Sequence, residues 1–381
     1  MNYSQETRLK MRNGGGEMFT KPKSLTVYLN NESVGKLALT PQNLCAFEYD
    51  AAYLIKGHSV SPFYLPLRSG VFIAKRDPFA GNFGVFHDSL PDGWGNLLLD
   101  RFLISQRIIP SSLTVLDRLS LVGSSGMGAL EYKPDNSFTS VGANPELEYL
   151  ASEAEKILNQ KDNGTSLDLL YKYGGSSGGA RPKVLLNIGG EEWLIKFRST
   201  LDPQNAGQIE YQYALLAKDC GIEMPEIRLF EGKYFGVRRF DRTAKNKIHM
   251  LSAAGLLHAD YRIPCLDYQG LLTACFKLTG NIEEVYKLYR LMVFNFLIKN
   301  KDDHARNFSF LLKAGEWKLS PAYDLLPGEG FNGFHTTTIA GKGAPEFTDI
   351  LQVANSLGLN KIRVNEINET MKAKCSSFKI S

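Results

Sequence analysis

Alternating apolar and polar positions dominate the first third of the chain. Residues 24–35, SLTVYLNNESVG, alternate on both sides of an Asn-Asn-Glu-Ser turn, which predicts a β-hairpin. Strand-like pieces follow in CAFEYDAAYL, FYLPL and VFIAK. After His87, a Pro-Asp-Gly turn precedes LLLDRFLISQ, whose spacing predicts a helix. We therefore expect residues 21–140 to form a small β-rich domain with one or two helices.

The rest of the chain shows further hairpins and then becomes helical. VLLNI and EWLIKF flank a Gly-Gly turn, and IRLFEGKYFGVRRF has the same pattern. Between these hairpins, IEYQYALLAKDCGI has helical spacing and ends at Gly221. Past residue 268 the spacing is helical, with a strongly apolar helix YKLYRLMVFNFLIKN and two short helices expected over 347–373. We predict a second domain over residues 146–381 and a flexible tail at residues 1–20.

Composition narrows the class of protein. The chain has 381 residues, 43% hydrophobic and 22% charged, which is enough apolar material for folded cores. A net charge of +4 is too small to predict direct DNA binding through a dense basic face. Five scattered cysteines argue against a disulfide framework or a structural zinc site and favour a reducing cytoplasm. No stretch reaches the roughly 18 apolar residues of a membrane span, so we expect a cytoplasmic protein without membrane contact.

The order of elements in the second domain is typical of a kinase-type nucleotide site. A Gly-rich loop at 174–183 is followed by a strand with Lys196, a helix with Glu210, a hairpin and a helical region. We therefore predict an α+β fold, in which a β-rich N-terminal domain precedes a kinase-like domain. That domain would have a β-containing nucleotide lobe and a mainly helical catalytic lobe.

The segment KNKDDHARNFSFLL, residues 299–312, carries the most informative chemistry. Asp302 and Asn307 have the D-x-x-x-x-N spacing at which protein kinases place a catalytic base and a magnesium ligand. Asp324, in SPAYDLLP, follows a strand and would supply a second hard oxygen ligand for Mg²⁺. The usual H-R-D and D-F-G motifs are absent, so this is not a conventional protein kinase. Each residue alone could be a helix cap or turn residue, but the three together favour metal-dependent phosphoryl transfer.

Other candidates leave alternatives open. Lys196 lies in an apolar strand and needs a partner, which could be a phosphate, Glu210, or water at an edge strand. We expect His304 to orient the loop by hydrogen bonding rather than to act as a base. The loop at 174–183 lacks the Walker Gly-Lys-Ser/Thr, yet its glycines could expose backbone N–H groups to phosphate or simply be flexible. The Gly-rich run at 123–128 lacks the strand–turn–helix context and is interpreted as structural.

These segments resemble the HipA-type serine/threonine kinases, the toxins of bacterial type II toxin–antitoxin systems. The resemblance extends over roughly residues 22–370 and is carried by GGSSGGARPK, LIKF, VRRFDR, NKDDHARNFSF and SPAYDLLP, and in the first domain by HDSLPDGWGNLLLDR and LVGSSGMGALEY. It implies that Asp302 is the base toward a Ser/Thr hydroxyl and that Asn307 and Asp324 bind Mg²⁺. It also implies that 237–240 is the hinge near adenine.

The resemblance further implies a set of ATP-binding residues and a regulatory serine. The expected ATP-binding set is Lys196, Ser177, Gly178, Gly179, Arg238, Phe240, His304, Asn307 and Asp324. Ser176 or Ser177 would be autophosphorylated, which switches off such kinases because the charged loop no longer covers ATP.

The resemblance also implies partners. HipA toxins are neutralised by a small helix-turn-helix antitoxin of the HipB type and contact operator DNA mainly through it. Their protein substrates include aminoacyl-tRNA synthetases. One departure is Asp303, which stands where many relatives have a small residue and makes the base ambiguous by one position. The D-x-x-x-x-N spacing favours Asp302.

Two other functions remain open at this point. One is a catalytically degenerate kinase-fold module that serves as antitoxin partner and corepressor. The other is a kinase fold that phosphorylates a small molecule.

Overall fold

Two compact units make up the chain in the computed structural model, which describes residues 21–137, 145–161, 165–175 and 178–380. The first unit comprises the described residues up to Ser59, together with Leu67–Gly190 and Leu194–Asp202. The second comprises Val60–Pro66, Glu191–Trp193 and the chain from Pro203 onward. The predicted domain boundary at 140–146 stays a prediction, and the tail predicted at 1–20 lies outside the described residues.

An antiparallel sheet forms the core of the first unit, in the order β4-β3-β2-β1-β5. Its strands are β1 (Ser24–Leu29), β2 (Glu32–Leu39), β3 (Cys45–Tyr49), β4 (Phe72–Ile73) and β5 (Leu130–Lys133). The hairpin predicted from alternation is confirmed by the pairing of β1 with β2. Its turn is only Asn30 and Asn31, both with positive φ, which is the conformation that tight two-residue hairpins require.

Residues 21–137 contain four α-helices, more than the one or two that we predicted for this domain: α1 (Ala51–Lys56), α2 (Gly84–His87), α3 (Gly93–Ser105) and α4 (Val115–Val122), with a 3₁₀ turn at Pro110–Ser112. Two further helices of the first unit follow, α5 (Leu147–Leu158) and α6 (Thr165–Gly174). The strand predicted through AAYL was wrong, because those residues form α1. The helical turn lets Tyr53 stack on Tyr49, four residues earlier, with ring centroids 6.0 Å apart.

The two other strand-like pieces were also over-predicted. FYLPL forms no strand, and only an isolated bridge joins Ser61 and Leu65 there. Pro66 lacks the N–H that a strand ladder needs there. VFIAK contributes just the two residues of β4.

A four-stranded sheet carries the predicted nucleotide-binding strands, in the order β6-β7-β9-β8. The strands are β6 (Lys183–Ile188), β7 (Glu191–Lys196), β8 (Ile227–Phe230) and β9 (Tyr234–Arg238). The boundary between the two units runs through β7, and both predicted hairpins are confirmed. Because β7 is an interior strand, the alternative of Lys196 on a water-facing edge strand was wrong. The helix predicted before Gly221 is α7 (Ala206–Asp219).

Helices dominate the rest of the second unit, as predicted. They are α8 (Ala253–Leu257), α9 (Tyr268–Thr279), α10 (Ile282–Leu297), α11 (Phe347–Ser356) and α12 (Lys361–Ser377). The strands are β10 (His249–Ser252), β11 (Leu266–Asp267), β12 (Ser309–Lys313), β13 (Glu316–Leu319) and β14 (Thr337–Thr338). They form a sheet in the order β10-β12-β13 and a parallel pair, β11 with β14. α12 has 17 residues and is longer than the short helix expected there.

The apolar helix α10 positions the loop that follows it. Most of its residues are buried, and it ends at Leu297. Lys299 then adopts a positive φ of 58°, which reverses the chain into the segment of Asp302. No helix in the described part of the chain is long and apolar enough to span a membrane.

The short segment Val60–Pro66 belongs to the second unit although its neighbours in sequence belong to the first. The Val60 carbonyl lies 2.8 Å from Nε2 of His249. Tyr64 stacks on His258 with centroids 3.4 Å apart, and its hydroxyl donates to the Leu257 carbonyl at 3.1 Å. This segment therefore completes the packing around β10 and the end of α8.

Candidate active site

The loop between α10 and β12 presents one aspartate and buries the next. Asp302 is exposed, whereas Asp303 is 0% exposed. After them, residues Ala305–Asn307 form a single 3₁₀ turn. His304 caps this turn, since its Nδ1 accepts from the Arg306 N–H at 3.2 Å. His304 thus makes a hydrogen bond within the loop, and its role in the site stays a prediction.

Asn307 is oriented by the backbone of Asp302. Its Nδ2 donates to the Asp302 carbonyl at 2.7 Å. Because this bond engages the amide nitrogen as a donor, the Oδ1 is the atom of this amide that could act as an acceptor or ligand. A hard amide oxygen in this position fits the ligand type that Mg²⁺ takes.

Asp324 is held next to the same loop by backbone pairing. Its side chain is exposed and its backbone has a positive φ of 55°. Nδ2 of Asn300 donates to the Asp324 carbonyl at 3.2 Å. A few residues on, the Gly328 carbonyl accepts from the Lys301 N–H at 3.1 Å. The segments of Asp302, Asn307 and Asp324 are therefore joined directly by hydrogen bonds. Carboxylate and amide oxygens are the ligand types that Mg²⁺ takes, and the role of these three residues stays a prediction.

Asp303 is a buried structural carboxylate with four hydrogen-bond donors. Its Oδ2 accepts from the hydroxyl of Tyr268 and from Nδ1 of His335, each at 2.9 Å. Its Oδ1 accepts from the N–H groups of Thr336 at 3.0 Å and Thr337 at 3.1 Å. A carboxylate buried and bonded in this way is not accessible to a substrate hydroxyl.

A buried polar chain links Asp303 to the Asp324 segment. Tyr268 accepts from Nδ2 of Asn295 at 2.9 Å, and Oδ1 of Asn295 accepts from Asn300 at 3.1 Å. Asn300 also reaches the Asp324 carbonyl, so the chain is continuous. Burial, followed by the charge of Asp303, holds the pKa of Tyr268 well above its usual range. We did not identify this chain from the sequence, although an asparagine within the strongly apolar α10 was a signal for it.

The predicted hinge at 237–240, which overlaps the end of β9, contains exposed and buried charges. Arg238 is exposed and pairs with Glu191 at 3.1 Å and Glu226 at 3.2 Å. Arg239 is buried and pairs with Asp241 at 2.7 Å. Burial opposes the charge of Arg239, but its acidic neighbours raise its pKa above the usual value.

Phe240, the last hinge residue, contacts the Asp324 region. Its ring stacks with that of Tyr323, with centroids 5.8 Å apart. The Tyr323 hydroxyl in turn donates to the Arg306 carbonyl at 2.6 Å. Tyr323, the residue next to Asp324, therefore connects the hinge with the Asp302 loop.

The end of the Gly-rich loop is held by the turn that begins α3. Gly179 donates its N–H to the Asp92 carboxylate, and its carbonyl accepts from the Trp94 N–H at 2.9 Å. A Cβ at Gly93 would lie 2.5 Å from the Gly179 carbonyl oxygen, so this contact requires glycine. Lys183 donates to the carbonyl of Gly178. The sequence indicated the turn before α3 but not its partner.

Three further residues were predicted to belong to the nucleotide site: Ser176, Ser177 and Lys196. Ser176 and Ser177 lie outside the described residues. Lys196 is half-buried at the end of β7, beyond the fully buried Trp193 and Ile195.

Comparison with known proteins identifies the family. Residues 25–133 match the HipA N-terminal domain, and residues 175–378 match the HipA-like C-terminal domain. The fold matches HipA from a complex of Shewanella oneidensis MR-1 HipA, HipB and operator DNA, with a TM-score of 0.69 and 17% identity, covering 92% of this chain and 88% of that one.

Two curated relatives are candidate kinases by name. Y4dM of Sinorhizobium fredii is 27% identical over 36% of this chain and 37% of its own length. A protein of Haemophilus influenzae is 26% identical over 54% of this chain and 64% of its own length. The matched region thus spans less than two-thirds of either relative. Since the C-terminal family match alone extends over more than half of the residues, the chain belongs to the HipA family.

Proposed function

We propose that this protein is an ATP- and Mg²⁺-dependent serine/threonine protein kinase that acts as the toxin of a type II toxin–antitoxin module in the cytoplasm. The observation that carries the proposal is the arrangement of Asp302, Asn307 and Asp324 on directly bonded segments. Family membership and the kinase names of two relatives support it.

Asp302 is proposed as the base that accepts the proton of the acceptor hydroxyl. Its exposure supports this role, and the burial of Asp303 removes the neighbouring carboxylate as a competitor. The bond from Asn307 to the Asp302 carbonyl fixes the two residues relative to each other. A base held in place loses less freedom when the substrate binds.

Asn307 and Asp324 are the residues that would hold Mg²⁺. When bound, the ion would neutralise charge on the phosphates. Lys196, Gly178 and Gly179 are proposed to bind ATP phosphates, and the backbone of the hinge at 237–240 to bind adenine. Arg238, Phe240 and His304 complete the proposed ATP-binding set, and Ser176 or Ser177 is the proposed autophosphorylation site.

Intact mass and peptide mapping test this function directly. Phosphatase-treated protein is incubated with ATP and Mg²⁺, and wild type is compared with Asp302→Asn. Glu329→Gln, which removes an exposed carboxylate from a nearby position, is the matched control. We expect a phosphate on the 174–183 peptide in wild type and in the control, and none in Asp302→Asn.

Each other result has a definite meaning. Phosphate on Asp302→Asn would contradict the assignment of the base. If wild type carries none, calorimetry with ATP separates two cases: binding would indicate a kinase that needs its own target, and no binding would contradict the kinase function.

A helix-turn-helix antitoxin of the HipB type is the proposed partner, with operator DNA bound mainly through it. The support is the Shewanella structure, in which HipA is in complex with HipB and operator DNA. The protein substrate is proposed to be a component of translation such as an aminoacyl-tRNA synthetase. Co-expression with a small helix-turn-helix protein encoded beside this gene tests the partner, since a stable complex should elute as one species in size-exclusion chromatography.

A further inference from the structure

The end of α7 and the last turns of α12 are in direct contact. The ammonium group of Lys374 donates to the Asp219 carbonyl and lies 3.1 Å from the Asp219 carboxylate. Nearby, the rings of Tyr213 and Phe378 have centroids 5.1 Å apart. Cys220 and Cys375 each follow a residue of the Lys374–Asp219 pair. The two thiols are hydrogen-bonded to each other although 155 positions separate them in the sequence.

The two thiols share a hydrogen bond that makes them chemically unequal. The Cys375 thiol donates to the Cys220 sulfur and lowers the pKa of Cys220. Lys374 and Arg290 act in the same direction, whereas burial and Asp219 oppose it. The same contact, with burial, raises the pKa of Cys375. The pair thus combines a sulfur that forms a thiolate more readily with a protonated neighbour.

The environments of the other cysteines differ from that of this pair. Cys45 and Cys275 are buried, and burial raises the pKa of each thiol to about 12. Cys265 is exposed and donates to the Asp260 carbonyl at 3.1 Å, and partial burial raises its pKa. Thiolates react with oxidants and thiols do not, so the Cys220–Cys375 pair is the favoured site of oxidation.

We propose that Cys220 and Cys375 form a redox modification site, at which hydrogen peroxide produces a reversible disulfide between α7 and α12. One sulfur is oxidised to a sulfenic acid, and peroxide is reduced to one water. The second sulfur then attacks it, forms the S–S bond and releases the hydroxyl with a proton as a second water. Cys375 is partly exposed and gives the buried Cys220 its access to the oxidant. Reducing thiols restore the pair, as in other transient cytosolic disulfides.

The disulfide would close a long loop and restrict the unfolded chain. Cross-links of long loops stabilise the folded state, so the oxidised protein should melt about 5 °C higher than the reduced one. This inference does not rest on the proposed kinase function, because every readout concerns the thiols and the fold.

Peptide mapping without reductant tests the proposal on the full chain. Reduced protein is treated with stoichiometric hydrogen peroxide, digested and analysed by mass spectrometry, and its melting temperature is compared before and after. We expect a linked peptide pair containing Cys220 and Cys375, lighter by two hydrogens and separated by dithiothreitol. Cys265→Ser is the matched control and should still form the link, whereas Cys220→Ser and Cys375→Ser should not.

Two results would overturn the proposal. One is oxidation of wild type at Cys265, or to sulfonic acid at Cys375, without the linked peptide. The other is a link whose formation leaves the melting temperature unchanged or lowers it, which would mean that the thiols pair only in distorted protein. Neither result depends on whether the serine variants fold, because wild type and Cys265→Ser suffice for both.

Discussion

The Asp302 loop and the segment directly after the hinge each bury an aspartate, but the partners of the two carboxylates differ. Asp303 and Asp241 are 0% and 1% exposed. Around Asp241 the donors are the guanidinium groups of Arg239 and Arg242. Around Asp303 they are a tyrosine hydroxyl, an imidazole and two backbone N–H groups, none of which is a guanidinium or ammonium group.

This difference affects the electrostatics around each carboxylate. A cation close to a carboxylate lowers its pKa and its basicity. The hydrogen bonds of Asp303 hold the loop without a guanidinium or ammonium group among their donors. At Asp241 no proton transfer is expected, so charge pairing there can serve structure alone.

The largest effect is expected from Asp241→Asn. This change leaves the half-exposed Glu192 as the carboxylate that still pairs with the buried Arg239, and breaking a buried ion pair typically costs about 3–5 kcal/mol. Urea unfolding of the variant and wild type at pH 7 measures the loss. Glu226→Gln, which removes an exposed partner of Arg238, is the control and should change the free energy of unfolding by less than about 1 kcal/mol. A loss below about 1 kcal/mol for Asp241→Asn would mean that the cluster is held by packing instead.

His249 is a buried titratable side chain whose hydrogen-bond partner is a backbone carbonyl, that of Val60, and not a charged group. His249 is 2% exposed, and burial lowers its pKa to about 4. The unfolded histidine binds a proton near pH 6.5, so wild type should lose stability as the pH falls from about 6.5 to 4, by about 3 kcal/mol. His249→Gln should lack this part of the pH dependence. Equal slopes for the two proteins between pH 7 and pH 4.5 would show that His249 is not buried as a neutral group.

Tyr268→Phe tests the polar chain behind the loop at a smaller scale. It removes one donor to Asp303 and the acceptor of Asn295, and we expect a loss of about 1.5 kcal/mol. Tyr289→Phe, on α10, removes a buried hydroxyl bonded to Asn368 and is the matched control for stability. If the chain also fixes Asp302, Tyr268→Phe should lower autophosphorylation, and Tyr289→Phe should not.

The smallest effect is expected from Asp303→Asn, the same substitution that is costly at Asp241. The asparagine Oδ1 can still accept from Thr336 and Thr337, and its Nδ2 can donate to Tyr268 or His335 after their protons rearrange. We expect a loss of about 1 kcal/mol in urea unfolding at pH 8. A loss above about 3 kcal/mol would show that the charge of Asp303 is needed and that the two regions bury aspartate in the same way.

Local patterns predicted local structure well and long-range partners poorly. The β-hairpins, the helix before Gly221 and α10 followed from spacing because each depends on neighbouring residues. The strand through AAYL was wrong because the packing of Tyr53 on Tyr49 favours a helical turn. The partners of Asp303 lie more than 30 positions away on both sides, and no periodicity connects them. The roles of Asp302, Asn307 and Asp324 stay predictions.

The contacts of Val60–Pro66 constrain the order in which parts of the chain can fold during translation. The ribosome makes it almost 200 residues before His249 and His258, the side chains that it contacts. During translation these seven residues must remain without their final contacts while the chain on either side begins to fold. A fragment cut at the family boundary near residue 175 would also lack them, leaving His249 without its Val60 carbonyl. Co-expressing the two halves from separate genes should therefore succeed better than producing the C-terminal half alone.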